Sequence, residues 1–433
     1  MSKVLNRACA LLAGLLFAAS QLGAQDNGTY SGFSPYSIYG TGILHNSGTA
    51  YNSSMGGVGI ASRNKRFVNI MNPASVTARD SLSFMADFGL SGQASIFNDG
   101  QYRSGNNLFN ISDFVISFPL YRKSAFMVGI TPYSDVGYRM SSTETDPALV
   151  SSSGIKTSTY KGEGSIYQLF AGGAAMFWNR LSVGGEYIYY FGNIVRTSQD
   201  SYSLTNVLGQ GQSYNFQLGG HSFKAGLQYE QPLGNNILTI GATYLFGTPV
   251  RGWNNHSQYR IISGSSETPV ENETKVSGVR FGSEAGLGLA FQVEDKYRFE
   301  LDYTLSDWRN SGFDTAEGFS NSNFSSSIAH SLRAGAEYTP NRNDIRYYMR
   351  RVSYRAGMYW NQSYFMVNGM PVNDIGISLG ATFPVFRWYN GLTVSLQAGQ
   401  RGTSGGGLVR ERYFGFSFGA NIFDIWFQKP RYE

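Results

Sequence analysis

The chain has 433 residues, 15% of them charged and 15% aromatic, with 53 glycines and a net charge of +5. That charge is too small to argue for nucleic acid, and a single cysteine excludes a disulfide framework. The four histidines, His45, His221, His256 and His330, lack metal-ligand spacing, so neither a metal nor a cofactor is expected.

The first residues read as an export signal. Lys3 and Arg7 precede an apolar run from Ala8 to Ala19, and Leu22-Gly23-Ala24 supplies small residues before Gln25. Residues 1–24 are therefore assigned to the signal, which is short for a spanning helix. Its removal takes Cys9 away and leaves a net charge of +3. No later stretch approaches the apolar length that a spanning helix needs. An exported chain of this kind goes free or enters a membrane as a barrel.

Residues 25–80 form an N-terminal extension. Within it, SSMGGVGIASRNKRFVNIMNPAS (53–75) keeps neither helical nor strand periodicity. From residue 81 to 433 the pattern changes to period-2 alternation, segment after segment, though 160–177 keeps it poorly. In Tyr297–Ser306 one face reads Tyr297, Phe299, Leu301, Tyr303, Leu305 and the other Arg298, Glu300, Asp302, Thr304, Ser306. Fourteen strands are expected, at 81–92, 109–119, 124–141, 160–177, 181–196, 216–230, 237–248, 278–292, 297–308, 330–339, 352–364, 372–385, 392–401 and 411–422. The stretch 257–264 could add a short hairpin arm.

The links alternate long and short: 93–108 is long, 120–123 short, 178–180 short, 197–215 long, 249–277 very long. The link 340–351 breaks the rule, being longer than a tight turn. A soluble sandwich would also alternate, but long strands at up-and-down spacing favour an antiparallel transmembrane barrel with both termini on the short-turn side. Its greasy face would meet lipid, with Tyr187, Tyr189, Tyr229, Tyr244, Tyr338, Trp308 and Trp360 as interfacial aromatics or as ordinary strand formers. Its polar face carries charges of both signs, among them Glu186, Arg298, Asp302, Arg333, Glu337, Arg355 and Asp374, a mixture unsuited to a selective ion pore. Two G-x-S-x-G matches, at Ser404 and Ser417, lack the strand-turn-helix setting of a serine nucleophile, and no enzyme is expected.

Ser54-Met-Gly-Gly-Val-Gly-Ile-Ala61, followed by Asn72-Pro-Ala74 and a first strand, resembles the hatch of the FadL/TodX-type (OMPP1) hydrophobic-compound transporters. Asp302–Trp308, Arg333–Tyr338 and Arg355–Tyr359 resemble that family's later strands, and Ser34–Gly40 with the Trp426 ending resembles its Bacteroidetes members. The resemblance implies an all-β, fourteen-stranded outer-membrane barrel with the 25–80 segment as a plug in the lumen. It implies passive uptake of long-chain fatty acids or other hydrophobic compounds, leaving sideways through a wall gap beside a kinked third strand. Met55, Gly56, Gly57, Arg63, Arg66, Asn72 and Pro73 would then form the ligand and hatch region, and Pro132, Tyr133 and Gly137 the lateral opening. Barrels resembling this family also include non-transporting subunits of secretion or protein-assembly complexes. Lipid, hydrophobic small molecules and outer-membrane protein partners all remain open as partners, and nucleic acid does not.

Overall fold

The structure, a computed structural model, describes residues 31–425 apart from 80–82, 122, 205, 263–264, 320–322 and 386–389. The signal read at 1–24 and the Trp426 ending lie outside the described residues. Fourteen long strands form the wall: β1 (Ser83–Asn98), β2 (Arg103–Pro119), β3 (Ser124–Thr143), β4 (Lys156–Phe177), β5 (Leu181–Tyr202), β6 (Gly209–Leu233) and β7 (Asn236–Leu245) in the first half. The second half holds β8 (Ser283–Val293), β9 (Tyr297–Asp307), β10 (Ile328–Tyr338), β11 (Ser353–Val367), β12 (Met370–Pro384), β13 (Gly391–Arg401) and β14 (Arg410–Ile425). Each pairs antiparallel with its neighbour in sequence, and β14 pairs with β1 from Ser83↔Ile425 to Asn98↔Arg410. The sheet is closed, which gives the wall backbone partners without help from water. No described helix is long and apolar enough to cross a membrane.

Polarity is inverted relative to a soluble protein. On β9, Tyr297, Phe299, Leu301 and Tyr303 are exposed, whereas Arg298, Glu300 and Asp302 are buried. That is the arrangement a barrel needs when lipid is its outer solvent. At the short-link end Tyr297 stacks on Tyr338 with centroids 4.9 Å apart, and Tyr354 is the next residue in the same cross-strand row. Such a row has the composition of an interfacial aromatic belt. Trp308 is not part of any belt: it is only 1% exposed, donates to Ser306 Oγ at 2.8 Å and packs 4.4 Å from Tyr364.

At the long-link end several strands run further than alternation suggested. β2 begins at Arg103 and β6 at Gly209, and β1 continues to Asn98. The added residues are largely polar, because strands that rise clear of lipid no longer need a greasy face. The short arm expected at 257–264 is a full hairpin, Arg251–Ile262 with Ser265–Val276, whose first strand pairs with the upper half of β6. At the other end the links are tight, except for 339–352 between β10 and β11. That link is built, not slack. Asp344 Oδ1 accepts the N–H groups of Arg346 (2.8 Å) and Tyr347 (2.7 Å), a 3-10 turn covers Tyr348–Arg350, and Asn341 N–H reaches Arg350 O at 2.8 Å.

Candidate functional site: the hatch, its seat and the wall gap

Inside the wall, residues 46–79 fold with little regular structure: one helical turn at Ala50–Ser53 and a 3-10 turn at Pro73–Thr77. Asparagine amides do the work of a hydrogen-bond ladder. Asn52 Nδ2 donates to Val58 O (2.8 Å), Asn69 Nδ2 to Gly59 O (2.6 Å), and Asn72 Nδ2 to Ile60 O (2.8 Å). Wall side chains complete the set. Asp302 Oδ2 accepts Gly59 N–H at 2.6 Å and Ile60 N–H at 2.9 Å, and Ser378 Oγ accepts Gly56 N–H at 2.7 Å.

Glycines on the wall let the two backbones touch. A Cβ on Gly184 would lie 2.6 Å from Ala74 N and from Pro73 C, and one on Gly335, Gly357, Gly226 or Gly241 would also collide with hatch atoms. The seat is therefore cut to the hatch at backbone level. Replacing Asp302 by alanine strands two buried N–H groups, which lowers stability by about 3 kcal/mol at about 1–3 per orphaned group. Asn at 302 keeps one accepting oxygen and loses less; thermal melting of the purified barrel distinguishes the two variants.

The residues expected in the hatch are all found in it. Met55 is fully buried with its carbonyl against Gly335 and Gly357. Gly56 (φ 73°) and Gly57 (φ 80°) occupy the left-handed region that glycine tolerates. Asn72 caps the 3-10 turn by accepting Ala74 N–H at 3.0 Å, and Pro73 sits at its first position, where its missing N–H costs nothing. Arg63 is buried against the wall at the edge of a cavity. It donates to Thr77 Oγ1 (3.1 Å), Ser182 Oγ (2.9 Å) and Gln228 Oε1 (3.0 Å), with its Nε 3.2 Å from a Glu230 carboxylate oxygen. Burial pulls its pKa down and the Glu230 charge opposes that pull. Arg63 and the half-buried Arg66 both line a vestibule of about 1060 Å³ at the short-link end, with Lys65, Arg79, Lys123, Glu230, Lys296 and Arg342.

The expected lateral-opening residues lie at an interruption of the wall. β2 and β3 pair only from Phe114↔Ile130 to Pro119↔Ala125, although both strands continue well beyond. The register of β3 against β4 slips between Pro132 and Ser134, so Tyr133 is the bulged residue. Tyr133 packs 4.6 Å from Tyr190 and 5.0 Å from Phe281. Gly137 is a seat for the chain's own N-terminal segment: its O accepts Ser34 N–H (2.8 Å), and its N–H donates to Ser37 Oγ (3.0 Å). The segment continues along the free edge of β3 as a two-residue strand, Ile43↔Asp135 and Leu44↔Ser134, and His45 pairs with Asp135. A cavity of about 490 Å³ lies at this break, lined by Phe33, Ile43, Leu44, Ile111, Ile130 and Pro132 on one side and Asp374 and Arg401 on the other.

Sequence reasoning missed this role for residues 31–45. The available signal was Ser34-Pro35, an N-cap followed by proline, which fixes a 3-10 turn at Pro35–Ile38. That turn aims Tyr36 Oη at Val409 O (2.6 Å) and sets Ser34 Oγ 2.7 Å from Glu411. The long-link mouth is also filled from within. Phe313 and Phe319 from the 309–327 link and Phe324 are buried with Trp308, Tyr364, Phe365 and Phe216. Between this aromatic layer and the hatch remains a space of about 180 Å³ faced by Glu186, Lys224, Glu284, Arg333, Asp374 and Arg401. Arg401 bridges Asp374 (3.1 Å) and Glu411 (3.3 Å). Among the described residues, no group of three or more His, Cys, Asp or Glu is placed to hold a metal.

Comparison with solved structures gives one architecture. The CymD monoaromatic hydrocarbon channel aligns over 86% of this chain and 97% of its own, with a TM-score of 0.63 and 16% identity. The toluene transporter TbuX of Ralstonia pickettii gives 0.59 at 14% identity over 86% and 97%. A FadL homologue of Pseudomonas aeruginosa gives 0.59 at 11% over 89% and 99%. These likenesses fix the fold as FadL/TodX-type. No curated protein matches the chain. A family model described as BamG matches residues 5–433.

Proposed function

The chain belongs to the BamG family, and from that premise we propose that it is an outer-membrane barrel acting as a non-transporting subunit of an outer-membrane assembly complex. One observation carries the reading: the barrel interior is occupied by the chain itself. Hatch backbone presses on wall glycines, aromatic side chains fill the long-link mouth, and the space of about 180 Å³ beneath them sets charges of both signs among apolar side chains such as Ile43, Phe170 and Tyr364. A greasy solute entering that space would meet Glu186, Arg333 and Asp374 and desolvate them at high cost. The hydrogen-bonded Arg63 supports the same reading, because its guanidinium already has Ser182, Gln228 and the Glu230 carboxylate as wall partners. In this role the barrel contributes a rigid body in the lipid, with both ends of its wall on the periplasmic side, and it performs no catalysis.

A second reading is favoured by one feature. The unpaired upper parts of β2 and β3, with an adjoining cavity of about 490 Å³, form a break through which a fatty acid or similar compound could leave sideways. The two readings separate at the N-terminal strand. Leu44 pairs with Ser134, so the Leu44→Cys/Ser134→Cys variant staples the segment across the break when oxidised. As a subunit, the barrel keeps its complex and supports normal growth whether oxidised or reduced. As a transporter, it loses uptake of a radiolabelled long-chain fatty acid on oxidation and regains it with reductant.

A further inference from the structure

We infer that the β10–β11 link, residues 339–352, is a protein-docking knob whose partner presents an acidic surface around a small apolar pocket. The inference rests on the subunit reading and names where that subunit is held. The described short-side links β2–β3, β4–β5, β6–β7 and β8–β9 have two to four residues, whereas this one has fourteen. A loop of that length costs ordering entropy, and here the structure spends hydrogen bonds on holding it. Asp344 caps it twice, Asn341 closes it on Arg350, and Tyr348 Oη ties it to Pro384 O at 3.0 Å.

What the ordered loop displays is unusual for solvent. Ile345 at its tip is 94% exposed, Met349 52% and Tyr347 49%. Arg346 and Arg350 lie 5.4 and 4.8 Å from the centre of the Tyr347 ring, and Arg351 lies 4.9 Å from that of Tyr348. Tyrosine and arginine held rigid beside an exposed aliphatic tip are the composition of binding hot spots, and pre-ordering removes much of the entropic cost of association. Charge selects the partner. Residues 340–351 contain four arginines against one aspartate; Arg342 pairs with Glu337 at 2.9 Å and Arg350 with Asp344 at 3.3 Å, which leaves the positive charge of the loop on Arg346 and Arg351. The Asp344 carboxyl is held below the ordinary range, first by the Tyr347 N–H, so its cap persists through neutral pH and is lost only as pH falls through that depressed value. Lipid is the weaker fit. The link follows the Tyr297–Tyr338–Tyr354 row, and its exposed Ile345, Tyr347 and Met349 are interrupted by Asn343, Asp344, Arg346 and Arg350, which is not the broad apolar face that interfacial insertion needs.

The test uses the full chain in its own membrane, with a photo-crosslinking phenylalanine analogue at position 345. The expected product is one protein whose crosslinked peptide is acidic. The Ile345→Asp/Arg346→Glu/Arg350→Glu variant should lose at least nine-tenths of that protein on co-purification, and reversing the acidic residues of the crosslinked peptide to lysine should restore it. Heat-modifiable migration of the variant on gels shows that its barrel has folded. Crosslinking to phospholipid alone, no crosslink, or a variant that keeps the partner overturns the knob. A complex that persists without the knob leaves the subunit reading standing, whereas no complex in the unmodified protein removes both.

Discussion

Gly357→Val unseats the hatch. Gly357 pairs with Gly335 across β11 and β10, and Met55 and Gly56 lie directly against this pair. A Cβ at 357 would fall on Gly56 N and Met55 C, which are backbone atoms fixed by the wall on both sides and cannot swing aside. Overpacking in a rigid setting costs about 1–3 kcal/mol when side chains absorb it, and more when backbone must move, so a loss of about 3 kcal/mol or more is expected. The consequence is visible without thermodynamics. Once unseated, the basic run Arg63, Lys65, Arg66 becomes a trypsin site, so limited proteolysis cuts the variant there while the parent resists. Gly219→Ala is the control, since its nearest neighbours would sit at ordinary contact distances of 3.6 and 3.8 Å. Equal trypsin resistance in parent, control and Gly357→Val would refute the rigid seat.

Arg355→Met destabilises the barrel almost as strongly, for an electrostatic reason. The Arg355 guanidinium is buried, donating to Glu337 Oε2 at 2.7 Å and Thr382 Oγ1 at 2.6 Å. It also lies over the hatch rings of Tyr51 and Phe67 at 4.3 and 5.2 Å, so one side chain joins wall and hatch. Removing it leaves Glu337 buried with Arg342, 2.9 Å away, and its cross-strand neighbour Arg298. Breaking a buried pair from one side costs about 3–5 kcal/mol, because the remaining charge keeps its desolvation penalty. Replacing both partners, as Arg355→Met/Glu337→Leu, removes that penalty and should recover most of the loss. A double-mutant cycle on denaturant midpoints measures the coupling; additive effects would mean that the pair is not the connection described here.

The wall was legible because lipid enforces it. Every spanning strand must turn one greasy face outward, so period 2 in Tyr297–Ser306 and its counterparts revealed fourteen strands. Where lipid ends the rule ends, and the upper parts of β2 and β6 passed unrecognised. The glycines of 53–75 and Asn72-Pro73 are local signals of a non-strand segment, and residues 46–79 fold inside the wall. The partners of that segment were not legible. Asp302 was visible as a lumen-facing charge, but nothing local ties it to Gly59 and Ile60, more than 240 positions away. Arg63 looked like a ligand cation for the same reason, since Glu230 and Gln228 reach it only through the fold. In the long link after β9, serine, asparagine and glycine dominate 311–327. Phe313 and Phe319 are spaced too irregularly to form a stripe, yet they fold inward to close the mouth together with Phe324 just before β10.

The central claim is that this barrel is a filled body held in a complex and does not conduct solute. Native mass spectrometry of the protein extracted from its own membrane in mild detergent tests both halves in one spectrum. The account predicts the chain at fixed stoichiometry with at least one protein partner and with no small hydrophobic adduct in the barrel. A solitary chain that retains a hydrophobic adduct after collisional removal of detergent would contradict it.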